Sequence, residues 1–234
     1  MGPRLEAVAS FIPRGARVAD IGTDHGLLPV WLALHGGAEA VIAADIRPGP
    51  LSAAKQNAAR YGAGGIRFCL CSGLSGISPR EVDTVVIAGM GGETILSILQ
   101  DAGWDWTGKK LILEANTKYP ELLTWLYAAN MHVDGEAFAE ERGRLYRICS
   151  VACGHRELPG KAFLWGGFRD GAYAERQAKL IRDALPGLRQ ASSAADRERL
   201  REYESILEEM KDAYHWRDPA GSVQTGSAGE QNGL

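Results

Sequence analysis

Residues 17–26 read RVADIGTDHG, an apolar run followed by a turn that contains two glycines. The run at 17–21 is short and Gly22 stops it, which predicts a buried strand. Glycine in the turn lets the backbone approach a ligand without a side-chain collision. Open parallel sheets bind ligands at the carboxyl ends of their strands. The stretch therefore predicts the first strand of an α/β domain and the first loop of its binding site.

Strands and helices alternate around this stretch through about residue 153. Strands are predicted at 40–45, 66–71, 82–88 and 110–114, and helices at 5–12, 28–34, 50–61, 93–100 and 120–129. Two final segments, 132–137 and 145–152, have only a turn-like sequence between them and predict an antiparallel pair. The alternation predicts an α/β fold with a Rossmann-like, mainly parallel sheet of seven strands and an antiparallel edge. That order is expected of a class I methyltransferase sheet.

The C-terminal part of the chain has a different pattern. Glycine and polar residues at 154–170 predict a linker, and a helix is predicted at 172–191 with a kink or break at Pro186-Gly187. In a second helix, at 194–214, apolar residues recur at the spacing of a coiled-coil seam: Leu200, Tyr203, Leu207, Met210 and Tyr214. We predict four regions: a Rossmann-like methyltransferase domain at 1–154, a linker at 155–171, a C-terminal α-helical coiled-coil hairpin at 172–215, and a disordered tail at 216–234.

The composition is that of an ordinary globular protein, with 45% hydrophobic and 24% charged residues among 234. No run approaches the roughly 20 apolar residues that cross a bilayer, and the N-terminus lacks a signal-peptide pattern. We therefore expect a cytoplasmic protein with no membrane partner. The four cysteines are expected to be reduced thiols, with no metal site. The formal net charge of -3 argues mildly against binding nucleic acid by charge alone, but it allows a local basic face.

Four loops follow successive strands at the predicted carboxyl edge, and Asp45 ends the second strand where an acid can accept hydrogen bonds from ribose hydroxyls. A dinucleotide site would need Gly-x-Gly-x-x-Gly. Here three residues separate Gly22 from Gly26, and the charge of Asp24 among them would repel a diphosphate. A cationic cofactor without phosphate fits better, which describes S-adenosyl-L-methionine. The predicted cofactor-binding residues are Asp20, Ile21, Gly22, Thr23, Gly26, Asp45, Ile46, Ser72, Gly73, Leu74, Ala88, Gly89, Met90, Gly91 and Gly92.

Residues 18–29, VADIGTDHGLLP, and 86–92, VIAGMGG, resemble signatures of the bacterial tRNA (adenine-N1) methyltransferases of the TrmK family. The similarity extends over nearly the whole of the chain that is expected to be ordered, including a C-terminal coiled-coil hairpin. It implies methylation of adenine N1 at position 22, in the D-loop region of tRNA. The chain departs from the family at two places. Ser72 stands where the family usually has an acidic residue, and Glu114-Ala115 stands before Asn116 where the family usually has Gln-Pro.

Catalytic roles follow from the chemistry of the implied reaction. Adenine N1 has a free lone pair, so the enzyme must chiefly align the reacting atoms. We predict that Asp24 stabilises the positive charge that develops on the ring, and that His25 and Asn116 donate or accept hydrogen bonds to the base. The alternatives are that His25 only fixes its loop and that Asn116 caps a helix.

The predicted tRNA-binding cations lie in two groups, four near the first strands and four along the first C-terminal helix. They are Arg4, Arg14, Arg47, Arg80, Arg176, Lys179, Arg182 and Arg189. A solvated helix surface with salt bridges inside the hairpin is an equal alternative for the second group. No obligatory protein partner is evident. Alternative functions are a methyltransferase for a small molecule or protein, an inactive module that binds tRNA and cofactor, and, less favoured, a nicotinamide oxidoreductase.

Overall fold

The computed structural model describes residues 1–168 and 171–215, and within these ranges seven strands form one sheet. Their order is β3-β2-β1-β4-β5-β7-β6. The strands are β1 (Ala16–Ile21), β2 (Ala38–Asp45), β3 (Ile66–Leu70), β4 (Thr84–Met90), β5 (Lys110–Ala115), β6 (Met131–Glu141) and β7 (Arg144–Cys153). The first five are parallel, whereas β7 is antiparallel to both β5 and β6. The predicted Rossmann-like methyltransferase sheet with an antiparallel edge is confirmed.

Helices cover both faces of the sheet because successive strand residues point to opposite sides. The helices of this domain are α1 (Pro3–Ser10), α2 (Leu27–His35), α3 (Pro48–Tyr61), α4 (Gly92–Ala102) and α5 (Tyr119–Ala128). On one face, Ile87 and Leu113 pack in the core cluster that contains α4 and α5 residues. On the other face, Val86 and Ile112 pack in a cluster with residues of α1 and α2.

The chain reverses its direction of winding beside β1. From β1 the order runs outward through β2 to β3, and the next strand, β4, pairs with the other side of β1. The loops that leave β1 and β4 therefore diverge to opposite faces and open a crevice at the carboxyl edge of the sheet. This topology places the loops after β1, β2 and β4 around one space.

The antiparallel edge is longer than its sequence pattern predicts. Strands β6 and β7 pair from Met131↔Cys153 to Glu141↔Arg144, and a two-residue loop joins them. Both loop residues have positive φ, 51° at Arg142 and 73° at Gly143, as a type I′ hairpin turn requires. Leu113 of β5 pairs with Cys149, so the beginning of β7 extends past the carboxyl end of β5. The turn therefore projects at the same edge as the crevice.

The segment predicted as a linker contains a further helix, α6 (Lys161–Gly166). Ala162, Phe163 and Leu164 are buried there. Arg147, 1% exposed on β7, donates hydrogen bonds to Glu136 at 2.6 Å and to the Leu164 carbonyl at 2.9 Å. A six-residue helix between glycines is too short to show a helical period, which is why the sequence pattern predicts only a linker.

The last two described helices are α7 (Gly171–Gln190) and α8 (Ala194–Ala213), which pack against each other and against α6. Ile181 of α7 meets Ile206 and Met210 of α8 in one buried cluster, to which Ala162 of α6 also belongs. Three helices therefore share the predicted seam, and a coiled-coil geometry stays a prediction. None of the described helices is long and apolar enough to cross a bilayer.

Of the kink or break predicted at Pro186-Gly187, the break is wrong, because α7 continues through it to Gln190, and the kink stays a prediction. Proline removes one backbone hydrogen bond, but only the last turn of the helix follows it here. Burial of Ile181 and Leu185 on the same helix holds that end in place. The predicted tail at 216–234 lies outside the described residues.

Candidate active site

A crevice of about 870 Å³ opens at the carboxyl edge of the sheet. Its floor is formed by the ends of β1, β2 and β4, and one side by α4. Twelve of the fifteen predicted cofactor-binding residues line it: Asp20, Ile21, Gly22, Thr23, Asp45, Ile46, Ser72, Gly73, Leu74, Ala88, Gly89 and Met90. The remaining three, Gly26, Gly91 and Gly92, lie outside its lining.

The three glycines outside the lining lie where the crevice loops pack closely on their neighbours. A Cβ at Gly26 would lie 2.7 Å from the Cβ of Ala54 on α3. A Cβ at Gly92 would lie 2.5 Å from the carbonyl oxygen of Lys118. Their small size therefore lets α2 approach α3, and lets α4 begin against the loop after β5.

Asp20 ends the central strand as a nearly buried acid, 7% exposed. Burial raises its pKa from 3.8 to about 6, because the charged form is disfavoured away from water, while the positive charge of Arg4 opposes that rise. Holding this carboxylate ionised at neutral pH destabilises the ligand-free protein by about 3 kcal/mol. A buried acid of this kind in a crevice favours the binding of a cationic group.

Asp45 is the second buried acid of the crevice, 5% exposed at the end of β2. Its Oδ2 accepts a hydrogen bond from the backbone N–H of Asp24 at 3.4 Å, and its Oδ1 accepts one from that of Arg47 at 2.9 Å. These contacts fix the carboxylate beside the first loop and leave further lone pairs on both oxygens. Its position suits acceptance of hydrogen bonds from a pair of hydroxyls.

The turn after β1 presses against the loop after β4. Gly22 has a φ of 74°, and a Cβ there would meet the methyl carbon of Met90. The left-handed backbone conformation favours glycine at this position. The loops after β1 and β4 are therefore in contact at Gly22 and Met90.

The three predicted catalytic residues have different surroundings. Asp24, with a φ of 50°, and His25 both line the crevice and are exposed, and His25 Nε2 lies 3.7 Å from Asp24 Oδ2. Asn116 follows β5 at the same edge but does not line the crevice. Its backbone N–H donates to the Met90 carbonyl at 2.8 Å. Asn116 does not cap α5, whose N-cap is Lys118.

Sequence reasoning missed the contribution of α4. One side of this helix presents Glu93, Thr94, Ser97 and Asp101 to the crevice, together with Ile98. The spacing of three and four residues between these polar positions was a readable signal. This spacing indicates a binding surface only when the glycine loop before the helix is known to face a ligand.

Arg4 also lines the crevice, although it was predicted to contact tRNA phosphates. Its Nη1 lies 2.7 Å from Oε2 of Glu114, which is 1% exposed at the end of β5, and its Nε lies 3.7 Å from Glu141 Oε2. Burial raises the pKa of Glu114, and the neighbouring Arg4 opposes that rise. Glu114 therefore faces a partner on α1 and does not line the crevice.

The other predicted tRNA-binding cations are not brought to one surface. Arg47 lines the crevice with its side chain 70% exposed, whereas Arg14 and Arg80 precede β1 and β4 at the opposite, amino edge. On the helices, Lys179, Arg182 and Arg189 are ion-paired with Asp183, Glu175 and Glu204 at 2.9 Å each. Arg176 instead donates to the carbonyl of Gly143 at 3.2 Å.

Known proteins with the same fold and sequence signals are methyltransferases. The family described as "Methyltransferase domain" matches residues 1–149. A tRNA (adenine(22)-N(1))-methyltransferase of Bacillus subtilis (strain 168) is 36% identical over 159 residues, 67% of each chain.

Solved structures agree over a longer span. The crystal structure of the Bacillus subtilis tRNA methyltransferase TrmK has a TM-score of 0.79 and 29% identity, and the match covers 91% of this chain and 98% of that one. A Streptococcus pneumoniae methyltransferase in complex with S-adenosyl-L-methionine has a TM-score of 0.76 and 28% identity over 88% and 99% of the two chains. The chain therefore belongs to the family of tRNA (adenine(22)-N(1))-methyltransferases.

Proposed function

We propose that this protein transfers the methyl group of S-adenosyl-L-methionine to N1 of the adenine at position 22 of tRNA. The observation that carries the proposal is a crevice with two buried acids at the switch point of a methyltransferase sheet, in a chain of this family. The related Bacillus subtilis enzyme is named for this reaction, and a related structure holds this cofactor.

The crevice residues fit S-adenosyl-L-methionine in charge and shape. Asp20 would hold the ammonium group and Asp45 the ribose hydroxyls, while residues 72–74 would border the adenine ring. The glycine at position 22 and the loop at 88–92 would give the cofactor room along the backbone. When bound, the cofactor supplies a methyl group on a positively charged sulfur, which a nitrogen lone pair attacks directly.

The exposed pair Asp24 and His25 lies where a target base would enter. Because N1 lies on the pairing edge of adenine, the base must leave its stack before it reaches the crevice. We propose that the Asp24 carboxylate stabilises the positive charge that the ring acquires. His25 and Asn116 then orient the base by hydrogen bonds, and Asn116 does so from the rim.

The proposal extends to the organisation of the chain and its place of action. Residues 1–154 form the catalytic domain, and the C-terminal helices of residues 172–215 form an accessory unit for tRNA. The buried contact between Arg147 and the Leu164 carbonyl supports a fixed attachment of that unit through α6. As a tRNA-modifying enzyme, the protein acts in the cytoplasm.

The inactive-module alternative loses the feature that favoured it. Glu114 was the departure that could have placed an unwanted charge beside the target base. Its carboxylate is instead buried and paired with Arg4. Arg4 and Glu114 together add no net charge to the crevice.

A pair of tRNA transcripts tests the proposed function. One carries adenine at position 22 and the other guanine, and each is incubated with S-adenosyl-L-methionine before nucleoside mass spectrometry. We expect 1-methyladenosine from the first transcript alone. Equal methylation of both, or none of either by a protein that binds S-adenosylhomocysteine in calorimetry, would overturn the proposal. The same assay with a metabolite extract detects a small-molecule methyltransferase.

A further inference from the structure

We propose that the β6–β7 turn, with Arg142 and Arg144, and Arg176 of α7 form a phosphate-binding surface for tRNA beside the crevice. We call this surface the basic turn. Its assignment to tRNA binding rests on the proposed function. Of the four helix cations that the sequence pattern indicated, the basic turn includes only Arg176. Its partner is the sugar-phosphate backbone of the RNA near the target base.

The position of the basic turn follows from the register of the sheet. Strand β7 begins at Arg144 and pairs with β5 only from Cys149 onward, so the turn stands beyond the carboxyl end of β5. The crevice opens at this same edge. Arg176 Nη2 donates to the Gly143 carbonyl at 3.2 Å, which ties the C-terminal helices to the turn.

The three arginines of the basic turn have no ion-pair partner among the described residues, although the charge of Arg144 acts on the buried Glu114 from a longer distance. None of Arg142, Arg144 and Arg176 forms an ion pair with a carboxylate anywhere in residues 1–168 or 171–215. All three are exposed. Of the acids nearest in sequence, Glu141 pairs with Arg4 and Glu175 with Arg182, and Glu140 is exposed. Exposed cations that form no ion pair within the protein can bind phosphate.

Tyr146 connects the basic turn with the crevice. The guanidinium of Arg144 lies 5.8 Å from the centre of the Tyr146 ring, and that of Arg4 lies 5.4 Å from it. Arg4 in turn lines the crevice. A nucleotide whose base enters the crevice therefore carries its neighbouring phosphates past this row of arginines.

The residue at position 142 is itself informative. Its backbone has a φ of 51°, in the left-handed region where Asn, Asp and Gly are favoured. Asn-Gly is the preferred pair for a type I′ turn, so arginine at this position is less stable than asparagine would be. A guanidinium binds phosphate through two parallel hydrogen bonds, which gives the arginine a function that asparagine lacks.

A double variant, Arg142→Asn with Arg144→Gln, tests the basic turn. Asparagine suits the left-handed backbone, so the melting temperature should stay the same or rise. We expect tRNA binding measured by filter retention to weaken about tenfold, and the slope of log K against log salt to fall by about 2. The kcat at saturating tRNA and the affinity for S-adenosylhomocysteine should not change. Arg176→Gln alone should lower the salt slope by about 1.

The matched control is Arg60→Gln with Arg156→Gln. These two exposed arginines lie at the amino edge of the sheet, so the variant loses the same charge away from the crevice. Its tRNA affinity should equal that of the wild type. The proposal is overturned if the turn variant keeps the wild-type affinity and salt slope, or if both double variants weaken binding equally.

Failure of the surface and failure of the proposed function give different results. If the wild type methylates the adenine transcript and the turn variant binds it normally, only the basic turn is wrong. If the wild type binds the transcript through the basic turn but forms no 1-methyladenosine, only the function is wrong. A wild-type protein that does not bind tRNA overturns both.

Discussion

Arg4 Nη1 lies 2.7 Å from Oε2 of Glu114, and this contact joins the first helix of the chain to the end of the fifth strand. The two side chains differ in exposure, 23% for Arg4 and 1% for Glu114. Arg4 also contacts Glu141 and the Tyr146 ring, so it has other partners, whereas Arg4 is the only ion-pair partner of Glu114 among the described residues. Replacing Arg4 and replacing Glu114 should therefore lower the stability of the protein by different amounts.

Arg4→Met should destabilise the protein more than Glu114→Gln. The first change leaves a buried carboxylate without its cation, which typically costs about 3 kcal/mol, and the second leaves a partly exposed arginine that can turn to solvent, at about 1 kcal/mol. Urea unfolding at pH 7.5 measures both. Asp183→Asn, which removes an exposed ion pair with Lys179, is the control and should cost less than about 0.5 kcal/mol. Equal losses for the two test variants would contradict the asymmetry.

Affinity for S-adenosylhomocysteine should fall as the pH drops below about 6. The pKa of Asp20 is raised to about 6 in the ligand-free protein, so below that pH the carboxyl is neutral and must lose a proton to hold an ammonium group. We expect a plateau above pH 7 and a weakening of about tenfold per unit below 6, measured by calorimetry. Asp20→Asn should bind weakly with no such dependence. A wild-type affinity that is constant from pH 5 to 8 would remove Asp20 from the site.

Asp24→Asn should lower kcat by about 10- to 100-fold and leave cofactor affinity unchanged. Asparagine tolerates the φ of 50° at this position, so the turn is kept and only the charge is lost. Single-turnover methylation of the adenine transcript measures the chemical step, and calorimetry with S-adenosylhomocysteine measures the site. Wild-type turnover in this variant would show that Asp24 does not stabilise the positive charge on the adenine ring.

Arg147→Leu should cost about 3 to 5 kcal/mol, because it leaves Glu136 buried without its cation and frees the Leu164 carbonyl. A double variant, Arg147→Leu with Glu136→Leu, should recover part of that loss, since an apolar pair needs no charge compensation. The single variant should also be cleaved faster by protease near 155–168. A double variant less stable than the single would show that the ion pair is not the source of the loss.

Part of this molecule was readable from local patterns. Apolar runs that stop at a glycine or an aspartate predicted the order of the strands and helices. The acidic turn at 20–26 predicted the crevice loops. The sequence pattern did not predict the helix α6, because six residues between glycines are too few to show a helical period. Lys179 and Arg189 form ion pairs within the hairpin, as in the alternative that the sequence pattern left open, and tRNA binding by this helix stays a prediction.

By itself, the sequence determined which segments become strands and which loops reach the carboxyl edge, because burial and glycine turns act over a few neighbouring residues. Only the tertiary structure decided which charges are neutralised. Arg4 pairs with Glu114 across 110 positions, whereas Arg142 and Arg144 form no ion pair with a carboxylate among the described residues. Such pairings depend on the packing of distant segments and on the loss of water around them, and no local pattern encodes either.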